Sequence, residues 1–468
     1  MIPDAWRQGE VAVTGLGRSG RSAAALLARR GLRVYVSDGT WSSALEQEAV
    51  TLRAAGVHVD LGAHDLDRIA RAVVVVASPG VPPDAAPLAR ARAAGVPIVS
   101  EIEVGLHALP PGTRYIAITG TNGKTTTTAM VGHLLRTLGL NAVDAGNIGT
   151  PLTRVAMAEQ PADWIALEMS SFQLHDTPGI RPTVGVLTNL APDHLDRYAS
   201  ADEYYGDKAL LFRNATAASR WVVNYGDTAV MAMIARVEGA HHYFGRSPYV
   251  DMNFVLPSGD PALAAAERGG TIEWKGQLVL HRDELALLGD HNVDNAMAAA
   301  LAVLVADDAH QTPEALARIA DGLRTFHALE HRLESAGEFG GVLWINDSKA
   351  TNVSSTLVAL KGMTRPTIVL LGGRHKGEPY TSLVPPLRRV GKAVLAYGEA
   401  GPLIAEDLAN VVPVRLLGSD FQEVMATARS LAQPGDVVLL SPACSSYDMF
   451  RNYEERGRAF KQLARDGA

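Results

Sequence analysis

The sequence predicts an α/β protein with three domains, of which the first and last are Rossmann-like and the central one has a mainly parallel sheet. Short runs of β-branched residues alternate with segments of helical spacing through most of the 468 residues. Two of these strands run into a glycine-rich turn and then a helix, which is typical of parallel sheets that bind phosphate groups. Turn-rich segments separate the units, and we expect domains at residues 1–110, 111–328 and 329–468.

The composition favours a globular protein of a reducing compartment. The net charge of −7 has no long block of one sign, which argues against nucleic acid as a partner. The single cysteine, Cys444, cannot form an internal disulfide. Residues 1–7 lack the pattern of a signal peptide, and the apolar runs are too short to span a membrane. We therefore expect a cytoplasmic monomer without membrane insertion.

The first segment carries a dinucleotide-type fingerprint. A strand at 11–14 leads into the glycine turn 15–20 and a helix, and the next strand, 33–38, ends in Asp38. A phosphate group can approach the start of this helix, and Asp38 can hydrogen-bond a hydroxyl or a base N–H. A nicotinamide cofactor and another nucleotide diphosphate would use the same features. A further strand, 72–77, ends in the turn 78–80, which is either part of the same binding site or an ordinary turn without a functional role.

A second glycine loop opens the central domain. A strand at 115–118 leads into Gly-Thr-Asn-Gly-Lys-Thr-Thr at 120–126 and a helix at 127–140. The glycines allow a tight turn, Lys124 can place a charge on the β- and γ-phosphates, and the Thr125 hydroxyl can bind Mg²⁺. The Walker pattern has a glycine where this chain has Ile118, so the loop is a variant. An ordinary strand-to-helix turn is the alternative to a P-loop-type ATPase domain.

Polar residues follow the next central strands. A strand from Trp164 ends in Glu168, and a carboxylate at the end of a buried strand is costly unless it meets a cation such as Mg²⁺ or a salt-bridge partner. His194 follows another strand end together with Asp193 and Asp196, which favours a metal or phosphate role. Lys208 lies on a predicted helix, where a solvated face is the ordinary interpretation.

The remaining segments complete the α/β pattern. A hairpin is predicted at 271–281, with its turn at 275–277, before a long alanine-rich helix. The asparagines at the start of that helix are candidates for base or ribose contacts or for helix capping. In the last segment, Lys349, Arg374 and Lys376 follow strands and should line one sheet edge, which would supply local positive charge for an anionic substrate.

These clusters together resemble the Mur ligase family of cell-wall peptide synthesis, in particular its glutamate-adding branch. The motifs that carry the resemblance lie at 120–126, 167–174, 346–352 and 440–448. The resemblance implies an amide ligase in which ATP converts the carboxylate of UDP-N-acetylmuramoyl-L-alanine to an acyl phosphate before D-glutamate is added. L-glutamate is the alternative amino acid. An NAD-dependent dehydrogenase would explain the first 100 residues but would leave the loop 120–126 without a task.

The resemblance also implies a role for individual residues. ATP contacts fall on Gly120, Thr121, Asn122, Gly123, Lys124, Thr125, Thr126, Asn292, Asn295, Arg332 and Asp347. Two Mg²⁺ ions are expected on Thr125, Glu168, His194 and a carbamylated Lys208, and the catalytic residues are Lys124, His194 and Lys208. Substrate contacts fall on Gly15, Gly17, Arg18, Ser19, Gly20, Asp38, Ser78, Pro79, Gly80, Asn147 and Ser170, and glutamate contacts on Lys349, Thr351, Lys376, Ser446 and Tyr453.

Overall fold

The structure is a computed structural model that describes residues 1–194, 197–246, 263–268, 270–275, 277–287, 289–327 and 330–466. Within these ranges the fold is α/β and contains three sheets. The fold class predicted from the sequence is confirmed. No helix in the described ranges has the length and apolarity needed to cross a membrane.

The N-terminal sheet has five parallel strands in the order β3-β2-β1-β4-β5. Its strands are β1 Glu10–Thr14, β2 Arg33–Asp38, β3 His58–Leu61, β4 Val74–Ala77 and β5 Ile98–Ser100. Its helices are α1 Arg18–Arg29, α2 Ser43–Ala54, α3 Leu66–Ala70, α4 Ala86–Ala93 and α5 Glu101–Ala108. The central position of β1 between β2 and β4 is a topological switch point, where such sheets bind ligands.

In the part of the chain that the structure describes, the central sheet has nine strands in the order β14-β13-β12-β11-β10-β9-β6-β8-β7, of which only β13 runs antiparallel to its neighbours. Its strands are β6 Arg114–Thr119, β7 Ala142–Gly146, β8 Trp164–Glu168, β9 Val184–Leu187, β10 Arg220–Asn224, β11 Ala240–Arg246, β12 Leu263–Arg268, β13 Thr271–Trp274 and β14 Gln277–His281. Its helices are α6 Lys124–Thr137, α7 Leu152–Val155, α8 Ser171–His175, α9 Ala201–Ala209, α10 Thr228–Ile234, α11 Asp290–Ala306 and α12 Pro313–Thr325. The carboxyl ends of β6, β8 and β9 are therefore neighbours.

The C-terminal sheet has six strands in the order β15-β16-β20-β17-β18-β19, with only β15 antiparallel. Its strands are β15 Glu334–Phe339, β16 Val342–Asn346, β17 Thr367–Gly372, β18 Gly391–Tyr397, β19 Val414–Leu416 and β20 Val437–Leu440. Its helices are α13 Val353–Lys361, α14 Val384–Val390, α15 Gly401–Leu408, α16 Phe421–Leu431 and α17 Tyr453–Asp466. β20 inserts between β16 and β17, so the loops after these three strands share one edge.

The chain forms two compact units. The first comprises Met1–Ala191, Ser200–His281 and Asn295–Leu323, and holds the N-terminal and central sheets. The second comprises Pro192–Ala199, Arg282–Asp294 and Arg324–Ala468, and holds the C-terminal sheet. The domain boundary proposed near residue 110 stays a prediction, and the one at 328 lies outside the described residues.

Within the first unit, α5 packs closely against α7. A Cβ atom at Gly105 would lie 2.7 Å from Leu152 Cγ, so only glycine permits this approach. Beside this contact, the buried Glu101 accepts two hydrogen bonds of 2.6 Å at Oε1, from Thr153 N and Thr153 Oγ1. These contacts join a helix that follows β5 to a helix that follows β7, and so couple the N-terminal sheet to the central one.

The predicted elements differ from the observed ones mainly at their ends. The helix expected at 127–140 begins at Lys124, because burial of residues 125–128 overrides the weak helix propensity of threonine. β7 ends at Gly146, so the predicted substrate residue Asn147 directly follows a strand. Asn292 and Asn295 lie inside α11, so neither is its N-cap residue. The hairpin of β13 and β14 is confirmed, although residue 276 in its turn lies outside the described residues.

Candidate active site

The glycine loop after β6 has the backbone that its sequence predicts. Gly120 and Gly123 have φ angles of 144° and 81°, positive values that residues other than glycine rarely adopt. Lys124 begins α6 and folds back over the loop, with Nζ donating to the carbonyl oxygens of Gly120 at 2.9 Å and Thr121 at 2.7 Å. A cation is thereby held beside the start of a helix, which is the arrangement that binds phosphate.

The segment after β9 holds this loop in place. Thr188 Oγ1 donates to Asn122 O at 2.7 Å, and Asn189 Oδ1 accepts from Asn122 N at 2.9 Å. Thr121 Oγ1 donates to Ala191 O and accepts from Ala191 N, both at 3.0 Å. Sequence reasoning assigned no role to Thr188 or Asn189, because the adjacency of β6 and β9 cannot be read from residue spacing.

Lys208 lies in the same cluster. It is 1% exposed, so the alternative of a solvated lysine is wrong. Its Nζ donates to Gly120 O at 2.7 Å and lies 4.5 Å from the centre of the Tyr204 ring. Tyr204 is 1% exposed and its hydroxyl lies 3.5 Å from Thr121 Oγ1, another contact that the sequence did not reveal. Lys124 and Lys208 therefore converge on one carbonyl oxygen.

Glu168 ends β8, the strand beside β6, and its side chain is 1% exposed. Its Oε1 accepts from Asn147 Nδ2 at 2.9 Å, which brings two predicted site residues together. Its Oε2 is buried and has no hydrogen-bond partner among the described residues. A buried carboxylate oxygen left in this state is costly unless a ligand meets it, and Mg²⁺ prefers such oxygens. The donor set fits the predicted divalent cation.

Other predicted residues of the first unit lie near the loop or at a helix end. Thr125 and Thr126 occupy the first turn of α6 and are 6% and 7% exposed. Asn295 Oδ1 accepts from Thr127 Oγ1 at 3.2 Å and would lie 2.2 Å from a Cβ at Gly123. Ser170 caps α8 by accepting from Gln173 N, so its hydroxyl has a structural task.

The N-terminal fingerprint residues meet at the carboxyl edge of β1. Ser78 Oγ donates to Gly15 O at 2.9 Å, and Asp38 accepts from Leu16 N at 2.8 Å. A Cβ at Gly20 would lie 2.0 Å from Gly15 O, so helix α1 can start this close to the strand only with glycine there. The other predicted residues flank this cluster, with Gly17, Arg18 and Ser19 at the start of α1 and Pro79 and Gly80 after β4.

In the second unit, Asp347 follows β16 and lies in a buried polar cluster. Its carboxylate accepts from Ser441 Oγ at 2.8 Å and from Leu333 N at 3.3 Å. Burial raises the pKa of Asp347 to about 7, an effect that its hydrogen bonds and the nearby Arg332 guanidinium only partly offset. Asp347 and Arg332, both predicted to contact ATP, are thus neighbours. Asn292, the third predicted ATP contact in this unit, is 7% exposed in the first turn of α11.

The predicted glutamate residues lie after β16, β17 and β20. Lys376 Nζ lies 3.3 Å from Thr351 Oγ1, and Lys349 Nζ lies 5.4 Å from the centre of the Tyr453 ring. Ser446 is 3% exposed. Because β20 separates β16 from β17 in the sheet, these strand ends supply cations and hydroxyls along one edge.

His194 has an unusual backbone conformation, with a φ angle of 55°. Such left-handed non-glycine residues are often held at functional sites. Its carbonyl oxygen accepts from the backbone N–H groups of Arg197 and Tyr198, and the adjacent Asp193 accepts from Asn352 Nδ2 at 3.3 Å. Asp196, expected beside it, lies outside the described residues. The metal role of His194 stays a prediction.

Comparisons with known proteins identify the family. Residues 9–100 match the Mur ligase MurD-like N-terminal domain, residues 118–303 the Mur ligase middle domain, and residues 331–444 the Mur ligase glutamate ligase domain. A UDP-N-acetylmuramoylalanine–D-glutamate ligase of Anaeromyxobacter dehalogenans is 41% identical and is matched over 98% of both chains. The chain belongs to the Mur ligase family. A relative of the same name from Salinibacter ruber is 39% identical over 99% of both chains.

Solved structures share the Mur ligase fold. UDP-N-acetylmuramate-alanine ligase MurC from Thermotoga maritima gives a TM-score of 0.60 at 20% identity, covering 98% of this chain and 100% of that one. A pseudomurein peptide ligase type C from Methanothermus fervidus gives 0.59 at 20% identity with the same coverage. At this identity the likeness concerns the fold alone.

Proposed function

We propose that this Mur ligase joins D-glutamate to UDP-N-acetylmuramoyl-L-alanine in an ATP-dependent reaction of peptidoglycan precursor synthesis. Relatives at 38 to 41% identity over nearly their full length carry the name of that activity. The observation that carries the mechanism is the convergence of Lys124 and Lys208 on the carbonyl of Gly120, next to the strand that bears Glu168.

The reaction has two balanced steps. The substrate carboxylate attacks the γ-phosphorus of ATP, which forms an acyl phosphate and releases ADP. The amine of glutamate then attacks the acyl carbon, an amide bond forms, and inorganic phosphate leaves while the amine loses a proton. In the first step a carboxylate must approach a triphosphate, so electrostatic stabilisation is the main requirement.

The glycine loop holds in fixed positions the positive groups that would stabilise the triphosphate. Lys124 is already ordered by two backbone carbonyls and so needs little rearrangement when phosphate binds. The helix start at α6 adds its positive end to the same place. Thr188 and Asn189 keep the loop backbone in position.

A divalent cation is part of the proposal. Glu168 Oε2 and the Thr125 hydroxyl are the oxygen ligands that we assign to it, and His194 is assigned to a second ion. When bound, Mg²⁺ would neutralise phosphate charge and polarise the transferring group. A solved bifunctional folylpolyglutamate synthase/dihydrofolate synthase from Yersinia pestis, which shares this fold at 14% identity and a TM-score of 0.54, is complexed with AMPPNP and a Mn ion.

We assign a carbamate to Lys208. A carbamate forms when a neutral amine adds carbon dioxide and releases one proton, and the product keeps one N–H and carries one negative charge shared by two oxygens. The hydrogen bond from Nζ to Gly120 O is therefore compatible with the modified residue. Its new oxygens would supply the negative charge that a divalent cation prefers.

The outer parts of the chain would hold the two other substrates. The cluster of Gly15, Gly20, Asp38 and Ser78 suits a uridine diphosphate group at the switch point of the N-terminal sheet. Lys349, Thr351, Lys376, Ser446 and Tyr453 would receive glutamate. Arg332, Asp347 and Asn292 would contact ATP.

The test is a panel of amino acids, including both enantiomers of glutamate, offered with ATP and UDP-N-acetylmuramoyl-L-alanine. Phosphate release should require the nucleotide-linked acceptor together with D-glutamate, and mass spectrometry should show the acceptor extended by one glutamate. The acceptor with aspartate is the matched control. Glutamate-independent phosphate release, or a preference for L-glutamate, would contradict the proposal.

A further inference from the structure

The second unit contains a chain of three polar side chains that the proposed function does not use. His375 Nδ1 lies 2.9 Å from the Tyr380 hydroxyl oxygen, and that oxygen lies 2.9 Å from Cys444 Sγ. Tyr380 and Cys444 are 0% exposed, while His375 is half-buried. Because the Tyr380 hydroxyl and the Cys444 thiol are buried away from water, their hydrogen bonds depend on these three side chains.

The state of His375 sets the direction of both hydrogen bonds. The Tyr380 hydroxyl has one proton to donate. When Nδ1 accepts, Tyr380 donates to the imidazole and the Cys444 thiol donates to the phenol oxygen. When Nδ1 carries a proton and donates it, Tyr380 donates to Cys444 Sγ instead. A change at the half-buried imidazole is thereby transmitted to the buried thiol.

One end of this chain adjoins Lys376, which is assigned to glutamate. Lys376 directly follows His375, and its Nζ reaches Thr351 Oγ1 at 3.3 Å. The hydrogen bond between His375 and Tyr380, together with ring centroids 5.4 Å apart, anchors the backbone next to Lys376 to the buried side of the unit.

The other end adjoins Ser446. Arg374 and Ser445 exchange backbone hydrogen bonds of 2.8 and 3.1 Å, which tie the loop after β17 to the loop after β20. The carbonyl of Cys444 accepts from the buried Arg456 guanidinium at 3.2 Å. The three side chains thus connect the same two loops that these backbone hydrogen bonds join.

We propose that His375, Tyr380 and Cys444 form a hydrogen-bonded relay that positions Lys376 for the amino-acid substrate. The proposal rests on the proposed function, which gives Lys376 its task. His375, Tyr380 and Cys444 are positioning residues, since they act through the loop that carries Lys376. The charged groups that influence the phenol or thiol of the relay are Lys376, Glu378, Asp407, Asp448 and Arg456.

A spectroscopic test detects the hydrogen-bonded relay through an NMR signal of Cys444 and needs no substrate. Cys444 is the only cysteine in the sequence, so cysteine labelled with ¹³C at Cβ gives one NMR signal. Burial raises the pKa of the Cys444 thiol to about 11, so the thiol itself keeps its proton at neutral pH. At one fixed pH, the signal of His375→Asn should be displaced from that of the wild-type protein, because the relay transmits a change at residue 375 to the thiol. In Tyr380→Phe, which lacks the connecting hydroxyl, the added substitution His375→Asn should not move the signal.

A kinetic test measures whether loss of the relay weakens the use of glutamate, which is the task assigned to Lys376. In Tyr380→Phe, the KM for glutamate should rise about three- to tenfold, the range expected for one lost neutral hydrogen bond, while the KM for ATP stays unchanged. The matched control is Tyr243→Phe on β11, which removes a phenol hydroxyl in the first unit and should leave both values unchanged.

The outcomes of these two tests distinguish a failure of the relay proposal from a failure of the proposed function on which it rests. If the wild-type protein uses another amino acid, the proposed function fails, and the KM comparison is made with that amino acid. If the wild-type protein uses glutamate but Tyr380→Phe keeps the wild-type KM for it, the relay proposal is overturned. A cysteine signal that His375→Asn displaces equally in the wild type and in Tyr380→Phe overturns it as well.

Discussion

At the scale of single residues, the position of Lys208 is informative because a buried lysine is rare. Only 1% of this residue is exposed, and its amine is directed at the same carbonyl oxygen as that of Lys124. Nothing in the helical spacing of 201–209 distinguishes Lys208 from a surface lysine. Its burial and its contact with the carbonyl of Gly120 in the folded chain are what set it apart.

We expect Lys208→Ala to lower kcat by at least about a hundredfold, as removal of one electrostatic stabiliser commonly does. If the lysine acts as a carbamate, short carboxylates such as acetate should restore part of the activity by replacing the missing anionic oxygens. Initial rates of phosphate release with and without added acetate provide the measurement.

Lys361→Ala is the matched control, because Lys361 is exposed in the last turn of α13. That variant should keep the wild-type rate and show no response to acetate. Full activity in Lys208→Ala would refute the catalytic role, and loss without any carboxylate rescue would count against the carbamate.

At the scale of elements, the active-site loop depends on a neighbouring strand end. The loop after β6 is held by residues 188–191, which follow β9. A Cβ at Gly120 would lie 2.0 Å from Thr188 Oγ1. The loop and the segment that holds it therefore fit together only when position 120 lacks a side chain.

Gly120→Ala should weaken ATP binding about tenfold or more, since overpacking of this size costs about 1–3 kcal/mol. Calorimetric titration with ATP measures the change. The double variant Gly120→Ala with Thr188→Ala removes the hydroxyl that clashes and should recover part of the affinity. Unchanged affinity in Gly120→Ala would show that the loop does not need this conformation to bind ATP.

Gly139→Ala is the control that distinguishes the effect of the steric clash at position 120 from the effect of backbone strain. Gly139 has a φ of 85°, also unfavourable for alanine, but nothing lies within 4 Å of its hypothetical Cβ. This variant should lose about 1 kcal/mol of stability and bind ATP normally.

At the scale of the whole molecule, the N-terminal and central sheets belong to one compact unit, and Glu101 lies at their junction. Burial raises the pKa of Glu101 from 4.5 to about 7, although hydrogen bonds from Thr153 oppose the shift. Its second carboxylate oxygen is buried and has no hydrogen-bond partner among the described residues. The folded chain therefore holds a proton on Glu101 that the unfolded chain releases at lower pH.

The sign of the pH effect follows from this difference. Between pH 4.5 and about 7 the folded state binds more protons than the unfolded state, so the contribution of Glu101 to the free energy of unfolding falls as pH rises. Glu101→Gln cannot lose this proton. Relative to wild type, the variant should gain on the order of 3 kcal/mol between about pH 4 and pH 8.

Urea denaturation of both proteins at these two pH values measures the change. Glu159→Gln, at an exposed position of the same unit, is the control and should differ from wild type equally at both. A Glu101→Gln difference that does not depend on pH would show that this carboxyl group is ionised in the folded protein.

The predicted strands and loops were mostly correct because their signals are local. β2, β8 and β13 match the expected positions, since each is a short β-branched or apolar run bounded by polar residues. The short strands β3 and β5 were not foreseen, because three or four residues carry too little periodicity. The candidate site residues themselves stay predictions until they are tested by substitution.

By itself, the sequence determined the α/β class, the family and the glycine loop with its lysine, because these depend on the order and chemistry of adjacent residues. Only the tertiary structure decided which distant residues meet. The clamp of Thr188 on Asn122, the pairing of Asn147 with Glu168 and the relay from His375 to Cys444 each join loops from different strands. In a parallel sheet the spatial order of strands differs from their order along the chain, so residue spacing does not contain these contacts.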